Sequence, residues 1–120
     1  MTDTQSVLVY HNPVCSKSRG ALEILDGRGL EPEVVEYMKV HPTRHDLERI
    51  VDAITDEPAA LVRKDKRFAE LGLDAADYRS KADVVALLLE HPELMERPVV
   101  FVGDEAVIAR PSERVLELLG

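Results

Sequence analysis

Apolar positions along the chain follow two rhythms. Short unbroken runs, Val7-Leu8-Val9-Tyr10 and Val99-Val100-Phe101-Val102, are too brief for helices and rich in β-branched side chains, so they predict buried strands over 6–10 and 98–102. Between them the spacing turns helical. Ala21, Leu22, Ile24 and Leu25 predict a helix from about Ser16 to Arg28, punctuated by Gly27 or Gly29. Glu33 to Tyr37 reads as a second strand after Pro32, and strand, helix, strand with short links predicts a right-handed βαβ unit with parallel pairing.

Thr43 stands as N-cap of the next helix, with Leu47, Ile50, Val51 and Ile54 on one face. From Asp56 to Tyr78 the pattern breaks into short helical pieces: Pro58 to Val62, Arg67 to Leu71 and Asp74 to Tyr78. Ser80 then opens an apolar helix, Lys81 to Glu90, closed by His91-Pro92. Pro98 is tolerated only as the first residue of the third strand. Gly103-Asp104-Glu105 turns the chain into Ala106 to Ala109, an antiparallel hairpin, and Pro111-Ser112 start a last helix with Val115, Leu118 and Leu119 inward. The order is β-α-β, a helical middle, then β-β-α. That is the layout of an α/β thioredoxin-like fold, a mixed four-stranded sheet with a helical insertion between its halves.

Composition narrows the function classes. The 120 residues suit a single domain over 1–120, and 45% hydrophobic with 32% charged residues is ordinary for a globular protein. The net charge of −8 argues against nucleic-acid binding. No apolar run approaches the ~18 residues needed to cross a membrane, and the polar stretch Met1 to Ser6 lacks a signal-peptide core. A single cysteine cannot form an internal disulfide, so a reducing, cytoplasmic location is expected, and so is a monomer.

That cysteine sits where the first strand ends and the first helix begins, in His11-Asn12-Pro13-Val14-Cys15-Ser16-Lys17-Ser18-Arg19. Backbone N–H groups at such a helix start point at the sulfur, and the macrodipole favours negative charge there. Ser18, one turn into the helix, places a hydroxyl within reach of the sulfur, and Lys17 and Arg19 add positive charge. Sites of this kind hold thiolates with pKa values of ~3.5–7.5. The plainer reading, a small hydrophobe at a helix cap, fits poorly with polar neighbours on both sides. His11, leaving the first strand, is placed to tune the thiolate or orient the loop, or is simply a polar strand end.

Three arginines stand at element boundaries: Arg63 in the irregular middle, Arg97 before Pro98 and Arg110 before Pro111. In a thioredoxin-like fold the start of the third strand lies beside the cysteine loop, and an Arg-Pro bond there is a candidate cis peptide. Guanidinium groups offer an always-charged planar fork suited to tetrahedral oxyanions. Each alone reads as a solvated charge; two Arg-Pro steps beside a cysteine loop read as an anion cradle. His41 and His45 lack an acidic or cysteine partner, so no metal site is expected.

Counting separates the thiolate classes. Phosphatase-type loops close on an arginine separated from the cysteine by five residues, and that position is Ala21. Dithiol oxidoreductases use Cys-x-x-Cys, and the second position is Ser18, so a redox cycle must borrow its second thiol from outside.

With these residues in view, the chain resembles the glutaredoxin-coupled arsenate reductases of the arsenate reductase/Spx group, from Val7 to Leu119. The resemblance rests on Tyr10-His11-Asn12-Pro13 before Cys15, Ser18-Arg19 after it, Leu61-Val62-Arg63-Lys64, Glu96-Arg97-Pro98-Val99-Val100 and Arg110-Pro111-Ser112-Glu113 taken together. It implies that Cys15 attacks arsenate, that Arg63, Arg97 and Arg110 hold the oxyanion, and that His11 and Ser18 tune the thiolate. It also implies glutathione, or another small thiol, as co-substrate with no bound cofactor, and glutaredoxin as protein partner. Ser16-Lys17 stands where well-known members have Gly-Thr, and the chain ends sooner, as in a shorter sister branch. Two alternatives remain: an Spx-like regulator binding RNA polymerase, which usually needs the Cys-x-x-Cys that Ser18 removes, and a general thiol-transfer protein.

Overall fold

The computed structural model of the chain describes residues 6–119; most of the polar N-terminal stretch, residues 1–5, lies outside them. Four strands form one mixed sheet: β1 (Val7–His11), β2 (Glu33–Glu36), β3 (Val99–Val102) and β4 (Glu105–Ile108), in spatial order β2-β1-β3-β4. β1 and β2 are parallel, while β1–β3 and β3–β4 are antiparallel. The expected βαβ and ββα halves therefore meet edge to edge through β1 and β3. The first strand begins at Val7 and runs on to include His11, and the third begins at Val99, leaving Pro98 just outside.

Alternation along the strands sorts side chains between two layers of helices. Val7, Val9, Val100, Val102 and Val107 point to one face and pack with Ala21 and Leu25 of α1 (Ser16–Gly27) and with Val115. Tyr10, Val99, Phe101 and Ile108 point to the other, against Leu47 and Ile50 of α2 (Arg44–Ala53) and Val84, Val85 and Leu88 of α4 (Lys81–Glu90). β3 is buried along its whole length, which is why its sequence is apolar without a break.

Local chemistry sets the element ends. α1 closes where Gly29 takes φ +74 and the Gly29 and Leu30 N–H groups donate back to the Asp26 and Leu25 carbonyls. Thr43 and Asp46 form a reciprocal capping box on α2. Gly103, at φ +63, is the first residue of the two-residue β3–β4 turn, where a side chain would be strained. The insertion is a string of short pieces as expected: a 3-10 turn at Pro58–Leu61, α3 (Lys66–Glu70) and a second 3-10 turn at Ala75–Asp77. The last helix departs from expectation. After Pro111 the chain makes a 3-10 turn, Ser112–Val115, and only then a single α-turn, α5 (Leu116–Leu119). A buried-residue spacing of three to four suits either geometry, so the pattern alone cannot separate them.

Candidate active site

Strand direction gathers the site. β1 and β2 run the same way and β3 runs against them, so the exits of β1 and β2 and the entrance of β3 share one end of the sheet. β4 reverses again and exits at that same end. His11 and the cysteine loop leave β1 there, Tyr37 follows β2, Arg97 precedes β3 and Arg110 follows β4. The Ala109 N–H donates to the Pro98 carbonyl oxygen at 2.9 Å, holding the two Arg-Pro steps side by side. Both Arg97-Pro98 and Arg110-Pro111 peptides are cis.

The loop from Asn12 to Cys15 is a compact turn. The Cys15 N–H donates to the Asn12 carbonyl at 3.0 Å, and the Val14 N–H donates to Asn12 Oδ1 at 3.1 Å. Ser18 is fully buried, and its Oγ accepts the Asn12 N–H at 3.3 Å. Its hydroxyl thus braces the loop, and it is its backbone N–H that faces the sulfur. Arg19 Nη1 donates to the Pro13 carbonyl at 3.3 Å from the outer side.

Cys15 occupies the N-cap position of α1 and is partly exposed. Burial raises its pKa, but the N–H of Ser18, the Arg97 guanidinium, the N–H of Lys17 and the Arg110 guanidinium outweigh that and bring it to about 7. The two N–H groups point at the sulfur without closing to full hydrogen-bond geometry. Among the described residues, the sulfur takes its hydrogen bond from Arg110 Nη1 at 3.6 Å. Arg110 Nη1 also donates to the Arg97 carbonyl at 3.0 Å, and its Nε lies 3.8 Å from Glu96 Oε1. Arg97 turns its guanidinium toward both Cys15 and Tyr37, while its Nε has no hydrogen-bond partner among the described residues. A sulfur that ionises near neutral pH beside two arginines suits a nucleophile attacking a bound oxyanion. His11 is buried, with burial holding its pKa below the ordinary histidine range. Its Nδ1 is unpartnered among the described residues, so at neutral pH it is an uncharged ring beneath the loop.

Arg63 is placed differently. Its Nε is bound to Asp65 Oδ2 at 2.9 Å, not turned to the sulfur. Its backbone is nevertheless tied to the segment leading into β3: the Arg63 N–H donates to the Leu94 carbonyl at 2.6 Å, and the Glu96 N–H to the Leu61 carbonyl at 2.8 Å. No group of His, Cys, Asp and Glu side chains placed to hold a metal occurs among the described residues.

The model of the ArsC family matches residues 10–118. The chain belongs to the ArsC family. Among curated ArsC-type relatives it is 40% identical over 116 residues to the arsenate reductase of Haemophilus influenzae, with 95% of this chain and 99% of that protein covered. It is 41% identical over 115 residues to the arsenate reductase of Rhizobium meliloti, covering 95% of this chain and 81% of that one. Among solved structures, the arsenate reductase from Vibrio cholerae superposes with a TM-score of 0.84 at 37% identity, covering 96% of this chain and 98% of that chain. The thioredoxin-like fold expected from the element order is therefore the one present.

Two contributors to the candidate site escape sequence reasoning. Tyr37 reads as the last apolar residue of a strand, yet it is fully buried at the site end of the sheet with its hydroxyl donating to the Met95 carbonyl at 3.4 Å. The available signal was its place just past a strand parallel to the one that carries the cysteine. Ser112 Oγ donates to the Lys17 carbonyl at 2.8 Å, tying the segment after Arg110 to the start of α1. Only the fold brings those two segments together.

Proposed function

We propose that this chain reduces arsenate to arsenite through Cys15. The observation that carries the reading is a thiol with a pKa of about 7 held against Arg97 and Arg110 at the head of α1. In the first step Arg97 and Arg110 grip arsenate oxygens, and Arg63 leaves Asp65 to close the cradle as a third ligand. The Cys15 thiolate attacks arsenic; an S–As bond forms, an As–O bond breaks, and the oxygen departs as water after taking up protons. The arginines neutralise charge on the remaining oxygens as the leaving oxygen develops its own. His11 and Ser18 keep the loop in the conformation that exposes the sulfur.

With serine at the position of a resolving cysteine, the electrons come from outside. Glutathione adds to the arsenic with loss of a second water. A glutaredoxin thiolate then attacks the glutathione sulfur, forming a mixed disulfide and leaving two electrons on arsenic, which falls from the pentavalent to the trivalent state. Hydrolysis of the S–As bond releases arsenite and regenerates the Cys15 thiol. The protein acts in this scheme as a cytoplasmic monomer with no resident cofactor.

The test is arsenite production by pure protein with glutathione, glutaredoxin and NADPH-coupled recycling. The wild type should consume NADPH only when arsenate is present, and Cys15→Ser should be inactive. A flat trace with active glutaredoxin overturns the reading. A Cys15–glutathione disulfide that builds up without arsenate would point to general thiol transfer instead.

A further inference from the structure

We propose that Tyr37 is a positioning residue of this site: its buried hydroxyl ties the cysteine loop and Arg97 to the backbone before β3, and so sets the guanidinium against the Cys15 sulfur. The inference rests on the arsenate-reduction reading for its kinetic consequence, but not for its effect on the thiol.

The hydroxyl has one proton to give, and it goes to the Met95 carbonyl oxygen at 3.4 Å. Its oxygen lone pairs remain, and the groups that face them are the Asn12 side chain and the Arg97 guanidinium. Asn12 is already committed on its other side, since Oδ1 accepts the Val14 N–H at 3.1 Å, so its amide NH2 is the end left to donate to the phenol. One oxygen thus joins the loop that carries Cys15 and the segment that carries Arg97. Tyr37 is itself fully buried, and burial pushes its pKa above the ordinary tyrosine range, so it stays a neutral phenol wherever Cys15 titrates. A residue used only for packing would need no oxygen here. Phenylalanine would fill the same volume and take away the oxygen that the Met95 carbonyl, the Asn12 side chain and the Arg97 guanidinium all face.

The experiment is the pH dependence of Cys15 alkylation by iodoacetamide in wild type, Tyr37→Phe, Arg97→Lys and the double variant, alongside circular dichroism and melting curves. The Tyr37→Phe protein should stay folded while its alkylation midpoint moves upward by about half a pH unit. The double variant should shift no further than Arg97→Lys alone, because both changes act through one guanidinium. With arsenate as substrate, Tyr37→Phe should raise KM about tenfold with kcat little changed. A midpoint equal to wild type, a loss confined to melting temperature, or additive shifts in the double variant would overturn the proposal. A wild-type protein that reduces no arsenate would sink the reduction reading, and the thiol titration would still decide the role of Tyr37.

Discussion

Two regions of the molecule supply arginines with the same expected task, and they hold them in different ways. At the end of the sheet, Arg97 and Arg110 each stand one intervening residue outside strands whose register is fixed by ladder hydrogen bonds, and both face Cys15. In the helical insertion, Arg63 lies among short turns, two residues from a carboxylate that captures it at 2.9 Å. The sheet end is a site already assembled. The insertion holds its arginine on a neighbouring carboxylate instead. Pre-positioned charges lower the pKa of the free thiol; a charge that arrives with the anion cannot.

The sharpest way to break that comparison is to remove the arginines one region at a time. Arg97→Ala and Arg110→Ala should each lower kcat/KM by ~10²–10³, the usual loss when a preorganised donor to a developing anion is removed. Each should also move the alkylation midpoint of Cys15 upward from about 7. The sign is fixed by the acid–base role: below the midpoint the sulfur is a thiol and alkylates slowly, above it a thiolate, so losing a nearby cation shifts the rise to higher pH. An unchanged midpoint in both variants would remove the sheet-end cradle from the account.

Arg63→Ala should behave otherwise. Its expected effect is roughly a tenfold rise in KM for arsenate, with the alkylation midpoint of the free protein left where it was. Asp65→Asn sharpens the point. Asp65 Oδ1 caps α3 by accepting the Phe68 N–H at 3.2 Å, and asparagine caps as well as aspartate, so α3 should survive. The loss of the charge frees Arg63, and KM should fall. If Arg63→Ala shifts the midpoint as far as Arg110→Ala does, the two regions are not different in kind.

How far the sequence reached follows the same division. Cys15, Arg97 and Arg110 were legible because each adjoins an apolar run whose direction follows from the chain order, and direction decides which ends of strands meet. Arg63 was legible as a residue and not as a conformation: an ion pair two residues apart depends on rotamers that spacing does not encode. Ser18 was placed correctly one turn past the sulfur, but its hydroxyl serves the Asn12 N–H, a partner visible only once the turn at Pro13 and Val14 is formed. Tyr37 stayed hidden because an apolar ring at a strand end carries no hint of what its oxygen meets. The break in the last helix was hidden for the reason given by its short length: few residues give too few turns for a period to show.

The smallest effects test whether the thiol reports its own neighbourhood or only the stability of the whole. Gly20 lies in α1, and a side chain there would bring Cβ to 2.6 Å from Ser112 Oγ and 3.2 Å from Ser112 Cβ. Ser112 follows Arg110 closely and is hydrogen-bonded to Lys17, whose N–H faces the sulfur. Overpacking of this kind costs about 1–3 kcal/mol, offset by about 1 kcal/mol from replacing glycine in a helix, so Gly20→Ala should cost about 1 kcal/mol net. Thr43→Ala removes the α2 cap in a region that supports the other face of the sheet and should also cost about 1 kcal/mol. The two variants should therefore melt alike in denaturant. They should part in alkylation: the Gly20 variant pushes the segment behind Arg110 away from the head of α1 and raises the Cys15 midpoint, whereas the Thr43 variant leaves it near wild type. Equal shifts in both would mean that the sulfur follows global stability, and the separation between an assembled sheet end and a supporting insertion would fail.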